Sequence, residues 1–186
     1  MRIGVDIDDT ITNTWEYLIP HYAKLFNIDE GRLLKSMPYY QAIKDKISLD
    51  EYYKVLIPIH NKYTSEIPLK ENVKEVIDKL YELGHTVYFI TDRGNDDNDS
   101  YDLTKNYLDS HGIKYEKIYT RASNKASICL KENIKLYIDD SVKHCKNVKE
   151  KGIEVLMFDT KYNKEYQEFK HVHSWNEIYE YIKDRW

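Results

Sequence analysis

The sequence predicts an α/β protein: a Rossmann-like parallel sheet with helices on both faces and a small helical cap inserted after the first strand. Two regularities and one interruption lead there. Five short runs rich in β-branched and aromatic residues, Ile3 to Ile7, Thr86 to Ile90, Lys117 to Tyr119, Lys135 to Ile138 and Glu154 to Phe158, read as buried strands. Amphipathic segments lie between them, and that alternation is the pattern of a parallel sheet. The interruption is residues 11–68, which separate the first strand from the next helix–strand unit by far more than the usual connection of about two to six residues.

Taken in order, the first run closes on Asp6-Ile7-Asp8-Asp9-Thr10. In the inserted stretch, Trp15, Leu18, Ile19, Tyr22 and Phe26 follow helical spacing, and Ser48 with Glu51 forms a capping box. All four prolines, Pro20, Pro38, Pro58 and Pro68, fall in this stretch. The expected division is a core of residues 1–10 and 69–186 and a helical cap of 11–68, since long insertions after a strand's C-terminal end commonly form lids. Helices buried in the main body are the competing reading. Val73, Val76, Ile77, Leu80 and Leu83 then place one apolar stripe on a helix. Gly84, Gly112 and Gly152 each follow a helical pattern and precede an apolar run, where a helix end favours a left-handed residue. Ser174 followed by Glu177 marks a second capping box, so a C-terminal helix should begin at Trp175.

Bulk properties narrow the function classes. The chain has 186 residues, of which 41% are hydrophobic, and its 18 tyrosines supply apolar surface with a polar tip, which argues against disorder. With 28 basic and 32 acidic residues well mixed, the formal charge of −4 leaves no broad basic face, so stable duplex nucleic-acid binding is not expected. No run approaches the roughly 18 apolar residues of a membrane helix, and the N-terminus turns acidic before any signal-peptide stretch, so a cytoplasmic protein without membrane attachment is expected. Cys129 and Cys145 form no Cys-x-x-Cys pair and read as reduced structural thiols. A homodimer is compatible with the sequence, which does not set the oligomeric state.

The acidic residues carry the chemistry. Ligands of an open parallel sheet bind beyond the carboxyl ends of its strands. The first strand ends in Asp6, Asp8 and Asp9, and the fourth in Asp139-Asp140-Ser141. If those strands are neighbours, the carboxylates crowd together, and a cation must offset their repulsion. Oxygen-only ligation at these acidic strand ends favours magnesium. The second strand runs into Thr91-Asp92-Arg93, a hydroxyl donor and a guanidinium fork suited to phosphate oxygens. Lys125 would add a flexible charge for phosphate and carboxylate, and Arg121 follows another strand end at the same edge. Seen singly, each has an ordinary reading: Asp9, Asp140 and Ser141 as helix caps, Thr91 as a strand residue, Lys125, Arg93 and Arg121 as surface groups.

Together, in this order, Asp6-Ile7-Asp8-Asp9-Thr10, Thr91, Lys125 and Asp139-Asp140 resemble the four motifs of the haloacid dehalogenase superfamily of phosphohydrolases, over essentially the whole chain. The insertion after the first motif matches the position of a helical cap in that superfamily. The resemblance implies that Asp6 attacks phosphorus as an ionised carboxylate, that Asp8 carries a proton to the leaving oxygen and then activates water, and that Thr91 and Lys125 assist. It also implies metal ligation by the Asp6 carboxylate, the Asp8 carbonyl and the Asp139 carboxylate, with Asp140 orienting what surrounds them. Because dehalogenase members lack an acid at the second aspartate, Asp8 points to phosphatase chemistry. The small cap, the Asp-x-Asp-Asp-Thr start and the Tyr-Ile-Asp-Asp-Ser segment are most similar to the 5′(3′)-deoxyribonucleotidase-like group. Thr91-Asp92-Arg93 departs from the segment expected there.

The expected function is therefore a magnesium-dependent phosphomonoester hydrolase, a nucleotidase acting on (deoxy)nucleoside monophosphates. The alternatives are a phosphatase or phosphotransferase for another small phosphometabolite, or a regulatory protein that keeps the fold without catalysis. Trp15, Tyr17, Tyr39 and Tyr40 offer stacking surfaces for a base, worth about 1–3 kcal/mol each, with core packing as the competing role. Gly94 to Asp99 fails the calcium-loop template, because Tyr101 and Tyr107 stand where glycine and glutamate are required. His171 and His173 lack a third ligand and read as surface residues.

Overall fold

A computed structural model describes residues 1–35, 47–94 and 100–186. Among these residues the chain forms strands β1 (Arg2–Val5), β2 (Thr86–Ile90), β3 (Lys117–Tyr119), β4 (Leu136–Asp139), β5 (Glu154–Phe158) and β6 (Lys170–Val172). Its helices are α1 (Thr14–Phe26), α2 (Glu30–Lys35), α3 (Leu49–Tyr63), α4 (Val73–Glu82), α5 (Tyr101–Ser110), α6 (Lys125–Lys131), α7 (Val142–Lys149) and α8 (Trp175–Lys183), with a 3₁₀ turn at Thr64–Glu66. The strands form one sheet in the order β3-β2-β1-β4-β5-β6. Every pairing is parallel. The expected α/β class is therefore the observed one, with β6 as an additional edge strand. Three residues with only Val172 fully buried gave too little apolar signal to find it.

The two faces of the sheet bury two apolar clusters. One joins Val5, Phe89 and Ile138 to Val76, Ile77 and Leu80 of α4 and to Trp175 and Ile178 of α8. The other joins Tyr88, Tyr137 and Met157 to Cys129 of α6 and Cys145 of α7. Both cysteines are buried and free. Leu83, counted in the α4 stripe from its spacing, is 48% exposed. It lies one residue past the helix end, where the chain has begun to turn toward Gly84 and the helical phase no longer applies. Gly84, Gly112 and Gly152 have positive φ, as helix ends require.

Gly4 matters for a different reason. A side chain there would bring its Cβ to 2.9 Å from Tyr137 Cδ2, 3.2 Å from Ile134 Cγ2 and 3.3 Å from Ile90 Cδ1. Replacing Gly4 by Ala is expected to lower unfolding free energy by about 1–3 kcal/mol through overpacking, read from urea denaturation. An unchanged midpoint would show that the β1–β4 contact has room to spare.

Residues 14–66 contribute α1, α2, α3 and the 3₁₀ turn, and together with Ile67 they bury a separate apolar cluster around Leu18, Ile19, Tyr22, Leu33 and Tyr52. The stretch is fastened at its base by an antiparallel bridge between Thr12 and Leu69. Ser48 and Glu51 form the full capping box at the start of α3. At α8 only half of the motif is made: Ser174 Oγ accepts from the Glu177 N–H, but Glu177 reaches past it to the His173 N–H. Trp15 packs beside Tyr22, and Tyr17 donates to Glu66 at 2.7 Å. Pro38, Tyr39, Tyr40 and the acidic stretch 95–99 lie outside the described residues. His171 and His173 both meet Asp159, at 3.0 and 3.2 Å.

Candidate active site

Parallel pairing of β1 with β4 decides the site. Val5 stands beside Ile138, and the Asp6 N–H donates to the Ile138 carbonyl at 2.9 Å. Asp6 and Asp139 therefore leave adjacent strand ends at the point where neighbouring strands run outward on both sides. One carboxylate oxygen from each of Asp6, Asp139 and Asp140 lies within 4.8 Å of the other two, and all three residues are buried. Lys125, the first residue of α6, puts its Nζ between two of them, 2.5 Å from Asp6 Oδ1 and 2.8 Å from Asp139 Oδ2. It too is buried.

Each acid has distinct neighbours. Asp139 also accepts from the Tyr137 hydroxyl and, at 2.7 Å, from the Ser141 N–H. Asp140 accepts from Thr10 Oγ1 at 3.2 Å and from the Tyr162 hydroxyl. The same hydroxyl lies 2.9 Å from Asp9, whose other oxygen accepts the Trp15 N–H. Asn163 secures the strand end from below, donating at 2.8 Å to the carbonyls of both Asp140 and Phe158.

Asp8 belongs to a separate cluster. Its Oδ1 meets Thr14 Oγ1 at 2.6 Å, Arg93 Nη2 at 2.7 Å and His60 Nε2 at 3.0 Å. Its Oδ2 accepts from Arg93 Nε at 2.9 Å, completing a bidentate pair. Burial alone would favour the neutral acid, yet Arg93 and then His60 hold Asp8 well below the usual carboxylate range. Asp6 has the opposite balance. Burial pushes it up to about 8 against the pull of Lys125, and repulsion from Asp139 and Asp8 adds to the rise. Burial first, then Asp139, Asp6 and Asp9, also raises Asp140 well above its ordinary value. Lys125 stays charged because Asp139 and Asp6 outweigh the cost of burying it.

These local balances favour a proton on Asp6 and the ionised form of Asp8, whereas the resemblance implies the opposite states at the first chemical step, with a cation beside Asp6. The reason is local charge. Three crowded carboxylates have one lysine among them, bonded to Asp6 and Asp139, whereas Asp8 alone holds an arginine and a histidine.

The other candidates are placed as follows. Thr91 is buried just past β2, with its N–H donating to Tyr119 and its carbonyl accepting from Ala122. Arg93 is buried against Asp8, and among the described residues its Nη1 has no hydrogen-bond partner. Arg121 is exposed with φ of 52°, and its N–H donates to the Arg93 carbonyl. His60, Tyr137, Tyr162 and Asn163 were not identified from sequence. For His60 a signal existed: Tyr52, Leu56 and His60 recur every four residues on one face of α3.

A cavity of about 250 Å³ lies against Asp9, Trp15, Lys70 and Tyr162, and neither Asp6 nor Lys125 lines it. Asp6, Asp139 and Asp140 are themselves buried.

Comparison with known proteins bears on this geometry. The family model described as 5′ nucleotidase, deoxy (Pyrimidine), cytosolic type C protein matches residues 1–185. A relative from Clostridium acetobutylicum named as a nucleotidase is 28% identical over 184 residues, covering 96% of this chain and 92% of its own. Among solved structures, a haloacid dehalogenase-like family hydrolase from Streptococcus pneumoniae superimposes with a TM-score of 0.69 at 16% identity, covering 97% of each chain. CbbY from Rhodobacter sphaeroides, solved in complex with phosphate, gives 0.65 at 12% identity, covering 95% of each chain. At those identities the likeness is one of fold. Among the described residues no helix is long and apolar enough to cross a membrane.

Proposed function

The chain belongs to the 5′ nucleotidase, deoxy (Pyrimidine), cytosolic type C family, and on that premise we propose that it is a magnesium-dependent nucleotidase. It would release phosphate from (deoxy)nucleoside monophosphates through an aspartyl-phosphate on Asp6. The observation that carries this reading is the convergence of Asp6, Asp139 and Asp140 around Lys125 at the β1–β4 edge.

Three buried carboxylates balanced by one lysine leave the cluster short of positive charge, and all the ligand atoms are oxygen. Such a set fits a hard divalent cation. The Asp6 and Asp139 carboxylates and the Asp8 carbonyl would hold magnesium, with Asp140 beside them. When bound, it supplies charge for the phosphoryl oxygens and favours the ionised form of Asp6.

The protein groups divide the remaining work. Asp6 attacks phosphorus as a carboxylate, and the bond to the ester oxygen breaks as Asp8 delivers a proton to it, a proton that Asp8 takes up once the substrate phosphate draws the Arg93 guanidinium away from its carboxyl. Water then attacks the acyl phosphate while Asp8 takes its proton, and inorganic phosphate leaves. Dividing the displacement in two lets one carboxyl serve as acid and then as base. Lys125 keeps Asp6 and Asp139 in register throughout. The Thr91 hydroxyl and Arg93 Nη1 are the donors for the non-bridging oxygens. We assign residues 11–68 as a cap over a core of 1–10 and 69–186, and because Asp6 is only 5% exposed, substrate entry requires the cap to shift.

The test is phosphate release across deoxy- and ribonucleoside monophosphates, sugar phosphates and an aryl phosphate, with magnesium and with chelator. Magnesium-dependent release, greatest for nucleotides, is the expected result. Release that survives chelation would overturn the metal assignment, and a preference for sugar phosphates would overturn the substrate class.

A further inference from the structure

We propose that His60 is a positioning residue for Asp8, the contact through which helix α3 of the inserted segment fixes the group that transfers the proton. The proposal rests on the phosphatase reading above. It adds to that reading a residue that the four motifs do not contain.

The geometry is specific. His60 lies 52 residues beyond Asp8 in sequence, is only 8% exposed, and brings Nε2 to 3.0 Å from Asp8 Oδ1. Against the ionised form of Asp8 a carboxylate oxygen can only accept, so in that state Nε2 is the donor. The backbone of His60 is itself held: Thr64 Oγ1 donates to the His60 carbonyl at 2.8 Å, within the turn that ends α3. Of the other donors to Asp8 among the described residues, Thr14 opens α1 and Arg93 follows β2. His60 alone of these comes from α3. Its contact therefore ties the position of the Asp8 carboxyl to the docking of that helix.

Docking itself does not depend on the contact. The next residue, Asn61, accepts from Ser100 Oγ at 2.9 Å, and the inserted helices carry their own apolar cluster. Loss of His60 should therefore leave α3 seated while freeing the Asp8 carboxyl to turn on its remaining donors. Proton transfer is sensitive to such freedom, because a displacement of about 1 Å can cost on the order of 10²-fold in rate.

The experiment compares His60→Leu with His60→Gln, whose amide N–H reaches close to the position of Nε2. Each is assayed on a nucleoside monophosphate and on 4-nitrophenyl phosphate. The sugar oxygen must be protonated as it leaves, whereas nitrophenolate leaves without help, and kcat/KM reports the steps up to that departure. The Leu variant is expected to lower the ratio of nucleotide to aryl kcat/KM by about 10- to 100-fold. The Gln variant should restore most of it. Equal losses on both substrates, or no loss on either, would overturn the proposal. Should the Leu protein fail to fold, by circular dichroism, Asn replaces it, since its amide is too short to reach Asp8; equal ratios for Asn and Gln would then be the overturning result. A wild-type protein inert toward both substrates would instead remove the phosphatase reading, and this proposal with it.

Discussion

Replacement of Asp6 by Asn is expected to lower phosphate release by at least about 10⁴-fold in kcat, the scale seen when a nucleophile that acts as part of a unit is removed. The same protein should remain folded. The amide can still accept from Lys125, so the 2.5 Å contact keeps an oxygen partner. The change also removes one of three carboxylates packed within 4.8 Å, a group that burial already pushes up to about 8. Loss of charge at this position relieves repulsion instead of creating it. A thermal melt at or above that of the wild type, together with absent turnover, is the expected pair of results. Retained turnover would refute the aspartyl-phosphate, and a collapsed fold would refute the electrostatic account of the cluster.

The second large effect is on stability. Lys125 is the only cation hydrogen-bonded to Asp6 and Asp139 among the described residues, and all three are buried. Changing it to Met keeps the stem and removes the charge. Two carboxylates are then left without compensation in the interior, a defect that typically costs about 3–5 kcal/mol. Urea unfolding in the presence of chelator should register that loss. Magnesium should return part of it, because a ligand that binds only the folded state stabilises it by mass action. A Met variant as stable as the wild type in chelator would show that the cluster lies in a wetter, more forgiving site than its burial indicates. A full loss with no return on adding magnesium would show that the carboxylates do not bind the ion without the lysine.

Much of this site is legible in the chain itself. Asp6, Asp139 and Lys125 stand out because acids at strand ends and a lysine opening a helix are patterns spanning only a few residues. The protonation states are not legible in that way. Asp6 and Asp8 stand two residues apart in nearly the same sequence setting, yet burial raises one while Arg93 and His60 lower the other. Nothing in Asp-Ile-Asp-Asp encodes that difference. Tyr162 escaped notice for the same reason: it follows β5 in a polar stretch, and only the fold brings its hydroxyl to Asp9 and Asp140. Leu83 failed in the opposite sense, since an apolar residue kept its helical spacing one position beyond the end of the helix.

The sequence by itself determined the class of fold, the run of strands and helices, and the acidic strand ends, because hydrophobic period and helix capping act over a few residues and survive in one dimension. Tertiary structure alone decided that β4 lies beside β1, that α3 carries a histidine to Asp8, and that Arg93 pairs with Asp8 through Nε and Nη2. Those outcomes depend on strand order and on the docking of helices far apart in the chain. Burial and charge at a carboxyl are set by which neighbours arrive, and no local pattern specifies the arrivals.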